Sequence, residues 1–227
     1  MRTRPVPLLL AATVLFAVLG RHGASAQAVR VEAGGGWAIP SSEITMTGTV
    51  GGGGTEAAVE VNPGPGPNVY GAVGLVWTLT DDLSLETRLR AQQSRMRVGA
   101  EDFSVEVQSC DGSCPDGRLR AISFEGQLTL TSVGRINPYF LVGLGVVRTT
   151  LDGVRIPAGN TEVQLSEVDV TDAGGDVGFG ATTRLVGGLY LTAETRVTGS
   201  LPGAKDNAVT TFPFTLGLSY AFGGPSD

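Results

Sequence analysis

Acidic and basic residues recur in this chain at a spacing that would put them on one side of a strand. Arg30 and Glu32 are two residues apart, as are Glu86, Arg88 and Arg90, and as are Glu194 and Arg196. Glu125 and Arg184 sit in similarly alternating stretches. Residues two apart on a strand project to the same face. A face of this kind can pair its charges, or it can offer carboxylates for general acid–base work. The only histidine, His22, lies in the N-terminal leader, so the chain beyond it lacks the usual general base and the commonest metal ligand together. No convergent carboxylate pair can be read from the spacing. Pairing is the better fit. The chain has one lysine, Lys205, and its mid-strand cations are all arginine, whose fixed fork of donors suits buried ion pairs.

Other candidate chemistry is thin. Cys110 and Cys114, the only cysteines, lie in Cys-Asp-Gly-Ser-Cys. In an oxidising compartment they read as a disulfide closing a short loop. Two cysteines without histidine make a poor zinc set. The run Gly51-Gly52-Gly53-Gly54 lacks the Gly-Lys-Ser/Thr of a phosphate loop, and Gly178-x-Gly180 falls inside a strand pattern. Acidic residues (Glu101, Asp102, Glu106, Asp111, Asp116, then Glu162, Glu167, Asp169, Asp172, Asp176) read as a solvated surface, with divalent-cation bridging to anionic headgroups as the sharper alternative. No cofactor and no metal are expected.

The elements that must hold these residues follow from the leader onward. Arg2 and Arg4, the apolar run Val6–Leu19 and Ala24-Ser25-Ala26 make residues 1–26 a secretory signal. Without Arg2, Arg4 and Arg21 the chain keeps 13 basic residues against 22 acidic ones, a net charge of −9. That excludes nucleic acid as a partner. Alternation predicts eight strands, at about 28–39, 68–79, 83–98, 118–131, 138–150, 176–186, 189–198 and 208–222. Three connections are tight turns, at Thr80–Asp82, Ser132–Asn137 and Gly187-Gly188. The other four are long. Short turns on one side and long loops on the other predict an eight-stranded antiparallel up-and-down transmembrane β-barrel over residues 27–223, with a tail at 224–227. Both termini then fall on the periplasmic side.

The faces decide between a soluble core and lipid. Leu85 and Leu89 oppose Glu86, Arg88 and Arg90; Phe124 and Leu128 oppose Glu125 and Gln127; Leu191 and Val197 oppose Glu194 and Arg196. The last strand sets Phe212, Phe214, Leu216, Leu218, Tyr220 and Phe222 against small or polar residues. An eight-stranded barrel is just wide enough for its side chains to fill. The polar set (Glu32, Glu86, Arg88, Arg90, Glu125, Arg184, Glu194 and Arg196) is therefore expected inside as a plug. Glycines on that face, among them Gly34, Gly74, Gly143, Gly178 and Gly217, are expected to make room for it. The strand at 138–150 is apolar on both faces and stays ambiguous. Aromatic girdles are expected from Trp77, Tyr139, Phe140, Tyr190, Tyr220 and Phe222 at the periplasmic rim and from Trp37, Phe212 and Phe214 at the other. The first long connection, 40–67, with its glycine run and Pro63-Gly64-Pro65-Gly66-Pro67, is expected to be a flexible low-complexity loop. Alternation in the next two suggests strands that rise above the membrane, with an edge open to a partner strand.

At this point the chain resembles the small outer-membrane barrels of the OmpA-transmembrane-domain and OmpX type. The resemblance spans residues 27–222. Gly217, Tyr220 and Phe222 are similar to the C-terminal signal read by the barrel-assembly machinery, although here the chain runs on past the final aromatic. The resemblance implies a bacterial outer-membrane location, lipid contact, engagement of the assembly machinery and a monomer. It implies a non-enzymatic structural or adhesion platform acting on an extracellular protein or surface through its loops. Members that act on lipid A need histidine, which this chain lacks beyond the leader. A narrow gated channel or small-ligand conduit is one alternative. A soluble, secreted, lipocalin-like ligand-binding barrel is the other.

Overall fold

The computed structural model describes residues 28–51, 55–104, 114–131, 135–158, 161–201 and 209–223. The expected signal peptide, the tail at 224–227 and Cys110, and with Cys110 the expected bridge to Cys114, lie outside the described residues.

Eight long strands close into one antiparallel wall. They are β1 (Ala28–Pro40), β4 (Gly66–Thr80), β5 (Leu83–Met96), β6 (Gly117–Leu130), β7 (Ile136–Leu151), β10 (Val168–Val186), β11 (Leu189–Ser200) and β12 (Thr210–Phe222). Going round the wall, the order is β1-β12-β11-β10-β7-β6-β5-β4, and β4 pairs back to β1. Closure matters because every backbone polar group in lipid must find a partner within the wall. Tight turns join β4 to β5 and β10 to β11. In the second of these, Gly187 has a φ of +53°, a left-handed conformation that glycine adopts without cost. The strand periodicity predicted all eight. The largest boundary error is β10, which begins eight residues before the predicted 176 because its alternation continues through Val168 and Val170.

The first long connection is not the flexible loop expected. It contains β2 (Ile44–Val50) and β3 (Thr55–Val61), paired antiparallel. The connection between β7 and β10 contains β8 (Val154–Ala158) and β9 (Thr161–Leu165). These form a second sheet in the order β3-β2-β9-β8. The low-complexity composition hid a real alternation: Ile44, Met46, Val59 and Val61 are all buried, while Thr47, Glu56 and Glu60 are exposed. The side away from the short turns thus carries an ordered sheet.

The wall faces two environments. Outward side chains of the barrel are large and apolar, including Leu89, Ile122, Phe124, Phe140, Val146, Phe179, Phe214 and Leu216. The ambiguous strand β7 resolves the same way. Phe140, Val142, Leu144 and Val146 point out, whereas Tyr139 and Leu141 are buried inside.

Candidate functional site

The barrel interior is where the structure brings most of the charged residues together. Arg88 on β5 is its hub. Its Nε donates to Glu125 Oε2 at 2.6 Å, its Nη2 donates to Glu194 Oε2 at 3.0 Å, and its Nη1 lies 3.6 Å from Glu32 Oε2. Arg196 on β11 is a second hub. It reaches Glu194 at 2.6 Å, Glu125 at 2.7 Å and Asp176 at 3.5 Å. Arg90 lies 3.2 Å from Glu194 Oε1, and its guanidinium sits over the Tyr70 ring at 3.6 Å. Nearer the periplasmic end, Arg30 bonds Glu86 at 2.8 Å and stacks 5.0 Å above Tyr190. Glu125 is fully buried and Arg88 is 1% exposed. Charges so removed from water survive only when paired and hydrogen-bonded.

Three members escaped the sequence reading. Tyr70 donates to Glu32 at 2.6 Å, Tyr139 donates to Glu194 at 2.8 Å, and Asp176 accepts from Thr198 at 2.5 Å. Strand parity puts Tyr70 on the inner face with Gly74, so its signal was present; Asp176, expected on the solvated acidic surface, is instead buried beside Arg196, because it shares the inner parity of Gly178. Tyr139 was instead assigned to the rim girdle together with Tyr190. Both point inward, because the tyrosine hydroxyl finds a carboxylate there or the ring meets an arginine.

Arg184 does not join the cluster. It is exposed at the β10–β11 turn, where its Nε donates to the Gly187 carbonyl at 2.7 Å. Parity holds as far as the Arg184–Tyr190 pair and shifts only after it, so Arg184 misses the cluster because it lies at the mouth of the barrel, not because it changes face.

Glycines open the space that these side chains occupy. A methyl group on Gly74 would come within 2.7 Å of Glu86 Oε1, one on Gly143 within 2.7 Å of Glu125 Cγ, and one on Gly178 within 2.7 Å of Arg196 Cβ. Gly217, on β12, leaves room for the Tyr70 hydroxyl. Tyr220 and Phe222, the other two residues of the C-terminal pattern, are on the opposite face and exposed, with ring centroids 4.7 Å apart.

Above the charged cluster the interior changes character. Met96 and Val98 after Ser94, Leu119 and Ala121 before Ser123, and Val147 and Leu151 on β7 are buried and apolar. They share one continuous core with Ile44, Met46, Val59, Val61, Val154, Ile156 and Leu165 of the second sheet. The interior is therefore lined by two chemistries, ions toward the short turns and hydrocarbon toward the long loops. Among the described residues no group of three or more His, Cys, Asp or Glu side chains is arranged to hold a metal ion.

A closed wall of eight antiparallel strands, apolar outside, points to one class of protein. Residues 8–222 match the family model for the outer membrane protein beta-barrel domain. The chain belongs to that family. Its location is the bacterial outer membrane, and the soluble lipocalin-like alternative falls with that assignment. Similar solved structures include Neisserial surface protein A, at 15% identity and a TM-score of 0.48, over 88% of this chain and 100% of that one. Ail, the attachment invasion locus protein of Yersinia pestis, matches at 13% identity and a TM-score of 0.40, over 85% and 98%. OprG of Pseudomonas aeruginosa matches at 14% identity and a TM-score of 0.42, over 86% and 97%. No curated protein matches the chain.

Proposed function

We propose that this protein is a closed, non-enzymatic and monomeric outer-membrane barrel that works as an interaction platform through its extracellular sheet. One observation carries the reading: the sheet β3-β2-β9-β8 shares a core with the inner wall, so the loops are built as a rigid surface. A rigid surface spends less entropy on binding than a mobile loop. The Arg–Glu cluster below acts as a plug. No described residue offers the histidine-based machinery that acid–base or nucleophilic catalysis commonly uses. The partner is an extracellular protein or surface ligand. Gly217, Tyr220 and Phe222 serve as the segment read by the assembly machinery, since two exposed aromatics on the final strand are accessible before the wall closes.

The test has two arms. Refolded protein in planar bilayers is expected to give no conductance steps. Cells displaying the wild type are expected to capture a partner from an extracellular-matrix array, and cells in which short turns replace β2–β3 and β8–β9 are expected to lose it. Regular conductance steps from heat-modifiable, folded protein would favour the gated-conduit reading, with the Arg88–Glu125–Glu194 pairings as the gate. Equal capture by both cell types would remove the platform reading.

A further inference from the structure

Five of the 13 basic residues beyond the leader stand on one outward face of the wall: Arg95, Arg97, Arg118, Arg120 and Arg148. The register sets them against each other. Arg95 is the direct cross-strand partner of Arg118, and Arg120 is the direct partner of Arg148. Like charges at directly opposed positions destabilise a sheet. Here two such pairs adjoin on neighbouring strands, in a chain whose overall charge is negative.

Among the described residues the acids pair with only two of them. Arg148 is held by Asp169, with Nη2 to Oδ2 at 2.6 Å and Nε to Oδ1 at 2.8 Å. Arg118 lies 3.7 Å from Asp116. Arg120 donates only to the neutral Gln93, at 3.0 Å. Arg97 sits 5.8 Å above the ring of Trp37. Arg95, Arg97 and Arg120 have no acidic partner among the described residues. Asp152 and Glu167 are exposed farther toward the loops.

The level of the face is set by its neighbours. The next outward row toward the short turns carries Ala91, Ile122 and Val146, all of them exposed and the last two over half exposed. One such row is about 7 Å of strand. The arginines therefore begin where the lipid-facing band ends, and the exposed ring of Trp37 beside Arg97 marks the same interface. Planar guanidinium groups at that depth match phosphate oxygens in charge and geometry.

We propose that this arginine face binds the phosphate groups of a phosphorylated lipid headgroup in the outer leaflet. The proposal needs only the membrane location, and it stands whether or not the extracellular sheet is a docking platform. The apolar band below seats the acyl chains, and Arg95, Arg97 and Arg120, which have no acidic partner among the described residues, supply the cationic donors above.

The experiment uses the full chain refolded in zwitterionic micelles. It is titrated with diphosphoryl lipid A or with the same lipid fully dephosphorylated, and bound lipid is counted by native mass spectrometry. The phosphorylated lipid should bind tighter by roughly ten-fold or more, given the attraction of each surface arginine for anionic lipid. In the Arg95→Gln/Arg120→Gln double variant that advantage should disappear, whereas the double lysine variant should keep most of it. Heat-modifiability on a gel checks folding of each variant, and Arg120→Gln alone, expected to lose part of the advantage, serves if the double variant fails to fold. Equal binding of the two lipids, or an unchanged advantage in a folded glutamine variant, would overturn the proposal. So would displacement of the lipid by an equimolar amount of inorganic pyrophosphate, because the site would then prefer a soluble phosphate source.

Discussion

The two ends of the barrel interior obey opposite rules. Toward the short turns, β6 points Phe124 outward and Glu125 inward; toward the loops, the same strand points Arg120 outward and Leu119 inward. β5 inverts between Leu89/Arg90 and Arg95/Met96, and β7 inverts between Leu144/Gly143 and Arg148/Val147. The backbone geometry does not change across the inversion. What changes is the solvent outside the wall. Below the line it is hydrocarbon, so apolar side chains face out and the polar ones must pair inside. Above the line it is water, and each strand returns to the rule of a soluble sheet, with hydrophobic residues inside. Among the described residues the lower interior is lined by the wall itself, and the side chains that meet across it are long ones, Arg and Tyr with their carboxylate partners. The upper interior receives side chains from β2, β3, β8 and β9 and can be filled with ordinary hydrocarbon.

The largest effect that would break this comparison is loss of a charge in the lower half. Arg88→Ala leaves Glu125 and Glu194 each without one cation, and Glu32 without the one cation paired with it among the described residues. Removing one partner of a buried ion pair costs about 3–5 kcal/mol. The urea midpoint of unfolding from lipid vesicles should fall accordingly. The double change Arg88→Met/Glu125→Leu sharpens the point. If the cluster exists only to fill space, the double variant should recover most of that loss, since apolar replacement of a buried pair is often neutral or better. No recovery would mean that the remaining members, Arg196 above all, depend on Glu125.

The matching change in the upper half is Leu151→Ala, which deletes a fully buried side chain from the shared core. Large-to-small core changes cost about 2–5 kcal/mol, depending on how well the site collapses. The location of the effect separates it from the first. Hydrogen exchange should quicken in β2, β3, β8 and β9, while the lower strands keep their protection. Uniform loss of protection would show that the two halves unfold as one unit and that the division is chemical only.

A smaller effect tests the glycine contacts. Gly143→Ala places a methyl group 2.7 Å from Glu125 Cγ, so the cluster must shift. Overpacking of this kind costs about 1–3 kcal/mol. Gly126→Ala on the neighbouring strand meets no atom within 4 Å and should leave the midpoint unchanged. Equal midpoints for the two variants would mean that the lower interior has slack.

How much of this was legible before the structure follows from the same inversion. Period-two alternation reveals a strand and its two faces, and it placed Glu32, Glu86, Arg88, Arg90, Glu125, Glu194 and Arg196 on one side. It carries no information about where along a strand the outer solvent changes. Ser94 to Met96 and Ala121 to Ser123 keep parity across the boundary, so alternation alone does not mark it. Local chemistry misled in two places. Glycine and proline around β2 and β3 masked the alternation of Ile44, Met46, Val59 and Val61. Arg184 keeps the inner parity opposite Tyr190, but it stands at the last turn of the strand, where its side chain reaches the Gly187 carbonyl and water instead of the cluster. Tyr139 shows a third limit, since an aromatic near a strand end fits a girdle or a buried hydrogen bond equally well until its partner, Glu194, is known.

The smallest expected effect comes from the same pairing chemistry on the outer surface. Arg148 and Asp169 form a two-contact pair as short as any in the interior, but both are exposed. Arg148 holds the Asp169 carboxyl below its usual range, first through the hydrogen bond and then through its charge. A folded-state value lowered in this way contributes stability above the unfolded Asp value of about 4, and the contribution is lost as pH falls through the folded value. Water and salt screen an exposed pair, so the contribution should be slight. Asp169→Asn at neutral pH is therefore expected to leave the unfolding midpoint within experimental scatter of the wild type. The small difference that remains should fade as pH falls through the lowered folded-state value, below which the carboxylate is protonated in both states. A loss comparable to that of Arg88→Ala would mean that geometry, and not burial, sets the strength of an arginine–carboxylate pair in this wall. The contrast between the two ends of the barrel would then need another cause.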